Sequence, residues 1–290
     1  MEIRSSRPET NIILFLIAAT EMLILGGCAA QIQKPVQVCP GKASTAESLS
    51  SLRVQFESAV PLKADGQCLL QYYAEEGKLK KENFTVKLWM NPPAEIYMQG
   101  DVAFDPKGVI LGSNKEEFWL AVRLKEVSGY WWGRWSEKEY PERLMISPRL
   151  VLEALWTSVA EDGENWSLSN EGAFDVLTKQ EGGAETKKIY INNCDYLVRK
   201  IEYFDGGRAA VIVELDKYKE ISKNFFVPGV VKIVNRAGGS KGDSVQITLG
   251  TVKPMKFTDK QRERLFVRPQ EKGFKQIYKI IDGKIVEQPK

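Results

Sequence analysis

A long succession of short segments in which apolar and polar residues alternate, separated by turn residues, limits this chain to folds built on a sheet. Phe84, Val86, Leu88 and Met90 alternate with Thr85, Lys87 and Trp89. Asn91, Pro92 and Pro93 then turn the chain before Ile96, Met98 and Gly100. Phe118, Leu120 and Val122 alternate in the same way with Trp119, Ala121 and Arg123. Successive side chains of a strand point to opposite faces, so each segment buries one face against a core. In the second half, residues 187–191, 196–204 and 208–215 are strand-like. They are joined by Asn192, Asn193, Cys194 and Asp195 and by Asp205, Gly206 and Gly207, which read as hairpin turns. After Pro228 come residues 230–235 and 245–249, bracketing a glycine-rich loop from Ala237 to Asp243.

Helical signals interrupt this pattern twice. Ser44 or Thr45 caps a helix running to about Ala59, with Leu49, Leu52, Phe56 and Ala59 at spacings of three and four; Pro61 and Gly66 close it. Ser147 and Pro148 precede Leu150, Val151, Ala154 and Leu155, a capped helix with proline in its first turn. About eleven short strands with local connections and few helices predict an α+β fold. Its expected form is one large curved antiparallel β-sheet, an open half-barrel, with helices covering the concave face.

The N-terminus carries a different signal. An apolar stretch follows Arg4 and Arg7 and ends in Leu25, Gly26, Gly27 and Cys28. From Ile12 to Leu25 a helix would span only about 21 Å, against a hydrocarbon core of about 30 Å, and Glu21 interrupts it. Basic residues, a short apolar run and small residues before a cut site are the order of a secretory signal. The four residues resemble a bacterial lipobox, in which the cysteine is acylated and becomes the new N-terminus. The resemblance implies that residues 1–27 are a signal peptide and that Cys28 carries lipid, palmitate among its acyl groups. Ala29 and Ala30 follow where an aspartate would signal inner-membrane retention, which implies an outer-membrane anchor facing the periplasm. Residues 28–43, with Gln31, Gln33, Lys34, Pro35, Pro40 and Gly41, show no period that would bury a face and read as a flexible tether.

Composition removes several kinds of chemistry. With no histidine, the commonest neutral-pH base and the commonest metal ligand are missing, so serine triads and the usual zinc sites are excluded. The formal net charge of +3 is spread without a long basic run and does not suggest a nucleic-acid partner. Besides Cys28, the cysteines are Cys39, Cys68 and Cys194, too scattered for a metal knuckle. A Cys39–Cys68 bridge would tie the tether to the first strand and contribute roughly 3 to 4 kcal/mol; pairings through Cys194 are equally allowed. The run Gly238, Gly239, Ser240, Lys241, Gly242, Asp243, Ser244 lacks P-loop spacing and precedes a strand, so it reads as a hairpin loop. No pair of carboxylates is placed for glycoside hydrolysis. No metal and no cofactor is implied.

The order of elements across residues 44–257 resembles the LolA/LolB superfamily of outer-membrane lipoprotein carriers: an N-terminal helix, an antiparallel half-barrel, a helical plug inserted midway, and final hairpins. The most suggestive passage runs from Ile189 through Leu215, Asp216, Lys217, Tyr218 and Pro228 to Leu249. The resemblance implies a non-enzymatic protein with an apolar cavity for the acyl chains of a lipid or lipoprotein, and a role in their transfer or localisation. Trp89, Trp119, Trp131 and Trp135 are the candidates to line it, with ordinary core packing as the competing reading. Alternation puts Trp131 and Trp135 on one face and Trp132 on the other. Val109, Ile110 and Leu111, between Gly108 and Gly112, match an apolar membrane-contact loop of the family or, more simply, a short buried strand. The tail, residues 258–290, lies beyond the resemblance. Its Arg262, Arg264, Phe266, Arg268, Phe274, Ile277 and Tyr278 either wrap the sheet or contact a partner. That basic and aromatic character motivates an alternative, a protein-interaction or envelope-stress sensor module on the same fold, similar to periplasmic anti-sigma-factor regulators. An envelope hydrolase ranks last because histidine is missing.

Overall fold

The computed structural model describes residues 38–74, 77–103, 105–135, 144, 146–156, 165–236, 242–281 and 284–289. The lipobox, Cys28, the signal segment and the first part of the tether lie outside the described residues, as does most of the glycine-rich run after Arg236. Residues from Val38 onward form one compact unit.

Helix α1 (Thr45–Glu57) starts where the sequence places it: the Ser44 hydroxyl accepts the Glu47 N–H at 3.2 Å. Leu52 is buried, and Leu49, Phe56 and Ala59 pack beside it. Six strands follow: β1 (Leu62–Tyr73), β2 (Leu79–Asn91), β3 (Glu95–Val102), β4 (Asp105–Ser113), β5 (Glu117–Arg123) and β6 (Ser128–Arg134). Helix α2 (Pro148–Trp156) has Ser147 accepting from the Leu150 and Val151 N–H groups through its side chain and carbonyl. Then come β7 (Trp166–Glu171), β8 (Phe174–Glu181), β9 (Ala184–Asn192), β10 (Val198–Asp205), β11 (Arg208–Asp216), β12 (Lys219–Ser222), β13 (Phe225–Val227), β14 (Val230–Asn235) and β15 (Asp243–Pro254). The tail supplies α3 (Asp259–Leu265), β16 (Gln276–Ile281) and β17 (Lys284–Glu287).

The fold is α+β, as expected, but the sheet is larger and differently composed than the pattern predicts. Among the described residues fifteen strands form one sheet in the order β17-β16-β6-β5-β4-β3-β2-β1-β15-β14-β11-β10-β9-β8-β7, and β12 and β13 pair separately. About eleven strands were expected; β7, β16 and β17 are among those the pattern misses. The sheet is mixed, because β16 runs parallel to β6 with Ile277 opposite Tyr130 and Tyr278 opposite Trp131. A parallel pair needs a crossover, and residues 258–275 provide it.

Curvature follows from the helix contacts. Helix α2 touches β4 and β5 on one side and β11 and β14 on the other, strands far apart in the sheet order, so the sheet wraps around it. The concave face carries the main core: Leu62, Cys68 and Leu70 of β1, Leu88 and Met90 of β2, Met98 of β3, Leu111 of β4 and Leu120 of β5, with Val151 and Leu155 of α2 packed among them. Val109 and Leu111 are fully buried there and Ile110 is 8 % exposed on the opposite face. That triplet is therefore interior strand, and the membrane-contact loop is ruled out by its burial.

The tail does wrap the sheet. The Tyr130 hydroxyl donates to the Pro269 carbonyl at 2.8 Å, Phe274 packs on the Tyr130 ring, and Asn114 donates to the Phe266 carbonyl at 3.1 Å. Ile110, Trp119, Ala121, Tyr130 and Phe274 make a second apolar cluster on the convex side. Gly112 is required beneath it, since a Cβ there would lie 2.5 Å from the Trp119 indole.

Candidate functional site

One end of the half-barrel holds a cleft of about 730 Å³, within the range of about 300–1,000 Å³ usual for small-molecule sites. It lies where the ends of β1 and β2 approach the β5–β6 turn across the concave side. Tyr72, Val127 and Trp131 supply its apolar wall, and Lys80, Glu126, Asp243 and Lys275 stand at its rim.

Each wall residue is placed by local pattern. Tyr72 falls on the inward phase of β1 and is buried. Trp131 falls on the inward phase of β6, opposite Leu120 of β5 and Tyr278 of β16. Its indole folds back along its own strand over Gly129, where a Cβ would come within 2.4 Å of the ring. The Tyr278 ring stacks on it at 5.4 Å with 13° between the planes. The crossover thus fixes the wall of the cleft as well as extending the sheet.

The rim charges divide into two kinds. Lys80 and Glu126 are 2.6 Å apart and neutralise each other across the opening. Asp243 accepts the Tyr73 N–H at 3.1 Å, and Lys275 uses its own N–H on the Ser128 hydroxyl at 3.4 Å. Among the described residues neither the Asp243 carboxylate nor the Lys275 ammonium has an oppositely charged partner. Burial holds the Asp243 carboxyl above its ordinary value, and the hydrogen bond from Tyr73 only partly opposes this.

The four candidate tryptophans separate. Trp131 lines the cleft. Trp135 packs against the main core, its ring 4.9 Å from Phe118 and its N–H donated to the Asn114 carbonyl at 2.7 Å. Trp89 and Trp119 are on the other face: Trp89 lies against Tyr97, and Trp119 is fully buried beneath the crossover. They cannot line the concave cavity, because they alternate with Leu88 and Leu120, which do face it. The split of Trp131 and Trp135 from Trp132 is as alternation predicts.

The far half of the sheet is held by two polar clusters that sequence reasoning missed. Glu153 of α2 is buried, 3.1 Å from the Arg149 guanidinium and 3.2 Å from the Lys187 ammonium, and it accepts a short hydrogen bond from the Tyr203 hydroxyl. Burial pushes its carboxyl up, but Lys187, Arg149 and Tyr203 outweigh this and the net shift is downward. The second cluster surrounds buried Asp175, which accepts from the Lys42 N–H at 2.8 Å, from Asn170 at 2.6 Å and from the Tyr196 hydroxyl at 3.2 Å. Beside it Cys39 is bridged to Cys194 in the β9–β10 turn, with Cα atoms 5.0 Å apart. The Cys39–Cys68 pairing is therefore corrected: Cys68 is a free thiol inside the core, pushed up to about 12 by burial.

Comparison with known structures adds the class of the fold. The chain is similar to an outer membrane lipoprotein-sorting protein domain from Vibrio parahaemolyticus, with a TM-score of 0.50 and 12% identity over 74% of this chain and 94% of that one. A DUF1329 family protein from Desulfovibrio piger matches with a TM-score of 0.50 and 11% identity, over 77% and 100% of the two chains. A LolA superfamily protein from Nitrosomonas europaea aligns with a TM-score of 0.47 and 12% identity, over 76% and 97%. No family model and no curated protein matches the sequence. At such low identity the likeness shows the fold alone, an architecture shared with the first two of these structures.

Proposed function

We propose that this chain is a lipid-anchored protein of the cell envelope whose half-barrel takes up the acyl chain of a lipid or lipoprotein at the cleft beside Trp131, and that it acts as a carrier or acceptor rather than an enzyme. The observation that carries this reading is an aromatic-walled cleft opening at the end of a fold shared with a lipoprotein-sorting domain. Cys28, through the lipobox resemblance, would supply the anchor and place the domain at the outer membrane, facing the periplasm. Among the described residues no helix is long and apolar enough to cross a membrane. The residue kinds around the cleft suit binding: rings for apolar contact, at about 25 cal/mol per Å² buried, and charges only at the rim.

The sensor-module alternative rests on the basic and aromatic tail. Phe274, Tyr278 and Phe266 pack on Tyr130, Trp131 and Phe257 of the same chain, so that reading would rest on the exposed basic side chains, Arg262 and Arg264 among them. The test is native mass spectrometry of the full-length protein recovered from envelopes. Lipid or acylated peptide retained at near-stoichiometric amounts, and lost in Trp131→Ala, supports the reading; an empty protein that still melts cooperatively sinks it. Metabolic labelling with an alkyne fatty acid, abolished in Cys28→Ala, checks the anchor separately.

A further inference from the structure

Resting on that reading of the cleft, we infer that its rim selects a zwitterionic head group, of the phosphoethanolamine kind, over an anionic or uncharged one. Four charged side chains surround the mouth. The Lys80–Glu126 pair, 2.6 Å apart, is satisfied internally and offers little net charge to a ligand. What remains is one ammonium, Lys275, and one carboxylate, Asp243, each without a counter-charge among the described residues and both lining the same opening.

A purely anionic head would gain from Lys275 and lose against Asp243. An uncharged head would leave both as they are. A head with a phosphate and an ammonium can meet Lys275 with one and Asp243 with the other, while its chain lies along Tyr72, Val127 and Trp131. Burial disfavours the charged form of this carboxylate, so a ligand cation beside it would offset that cost. The exposed Lys275 side chain can follow the phosphate, because its residue is held by the backbone N–H to Ser128 and, among the described residues, the ammonium has no charged partner.

The experiment uses the full-length protein in phosphatidylglycerol vesicles carrying a trace of photoreactive phosphatidylethanolamine, phosphatidylglycerol or diacylglycerol, all with the same photoreactive chain. Cross-linked peptides are mapped after irradiation. Peptides containing Tyr72 and Trp131 should label about two- to fivefold more with the ethanolamine lipid than with either other probe, the factor expected of part-exposed ion pairs. Lys275→Ala and Asp243→Asn should each bring it down to the phosphatidylglycerol level, whereas Lys275→Arg, which keeps the charge, should preserve the preference. Equal cleft labelling by all three probes overturns head-group selection and leaves acyl-chain uptake standing. Labelling that avoids the cleft with every probe overturns both.

Discussion

Two carboxylates, Glu153 on helix α2 and Asp243 at the mouth of the cleft, both lose solvation in the fold and shift in opposite directions. Glu153 is enclosed by two cations and a tyrosine hydroxyl, so its charge is held and its carboxyl falls below the ordinary value. Asp243 has, among the described residues, one backbone N–H as partner, and its carboxyl rises. The difference separates the two halves of the sheet. The half from β7 to β11 is locked to the helices by complete polar clusters and by the Cys39–Cys194 bridge. The end where β1, β2, β6 and β16 meet keeps charges unmatched around an apolar hollow. Polar groups completed by their own chain stabilise a structure; those left incomplete beside a cleft are available to a ligand.

Glu153→Ala should break the locked half most severely. It leaves the Arg149 and Lys187 charges facing each other in the interior, and removal of one member of a buried ion cluster costs about 3–5 kcal/mol, read as a fall in denaturation midpoint. The wild-type cluster also fixes an acid limit. Because the folded value is lowered, its stabilisation is complete above the unfolded value of about 4.3 and disappears as pH falls through the folded value. A stability curve flat through that window would contradict the assignment.

Cys194→Ser comes next. The bridge joins residues 155 apart in sequence, and by loop entropy its loss costs up to about 5 kcal/mol, with strain and residual structure lowering the figure. Wild type in reductant should unfold at the same denaturant concentration as the variant; equal midpoints with and without reductant would show that the bridge adds nothing.

Gly129→Ala tests the open end. A Cβ there forces the Trp131 ring off its place against Tyr278, and such overpacking costs about 1–3 kcal/mol. Lipid labelling at the cleft should fall with it. Retained labelling would remove Trp131 from the site. Asp243→Asn should have the smallest effect. With a raised folded value, the carboxyl favours the fold below its unfolded value of about 3.9, and this advantage is lost as pH rises through the folded value. At neutral pH the asparagine variant, which can still accept the Tyr73 N–H, should therefore be equal or more stable by at most about 1 kcal/mol after solvent screening. A clear loss would mean that the charge has a partner.

Much of the architecture was legible along the chain. The alternation in β2, β3 and β5, the hairpin turns after Asn192 and Asp205, and the caps at Ser44 and Ser147 are all local signals, and the elements they predict are present. The same alternation assigns Trp89 and Trp119 to the face opposite Leu88 and Leu120, so phase outweighs their aromatic character and keeps them out of the cavity. β16 was illegible because its residues are half exposed and its partner, β6, lies more than a hundred residues earlier.

Sequence by itself thus determined many of the strands, which face of each of these is apolar, and where α1 and α2 begin, because period, turn chemistry and capping act between near neighbours. Only the tertiary structure decided that Cys39 reaches Cys194, that Glu153 meets Lys187 and Tyr203, and that Tyr72 and Trp131 share a cleft with Asp243 and Lys275. Those pairings depend on how far the sheet curves and where the crossover returns. Curvature is a sum of small twists over many strands around α2, and no local stretch of residues encodes that sum.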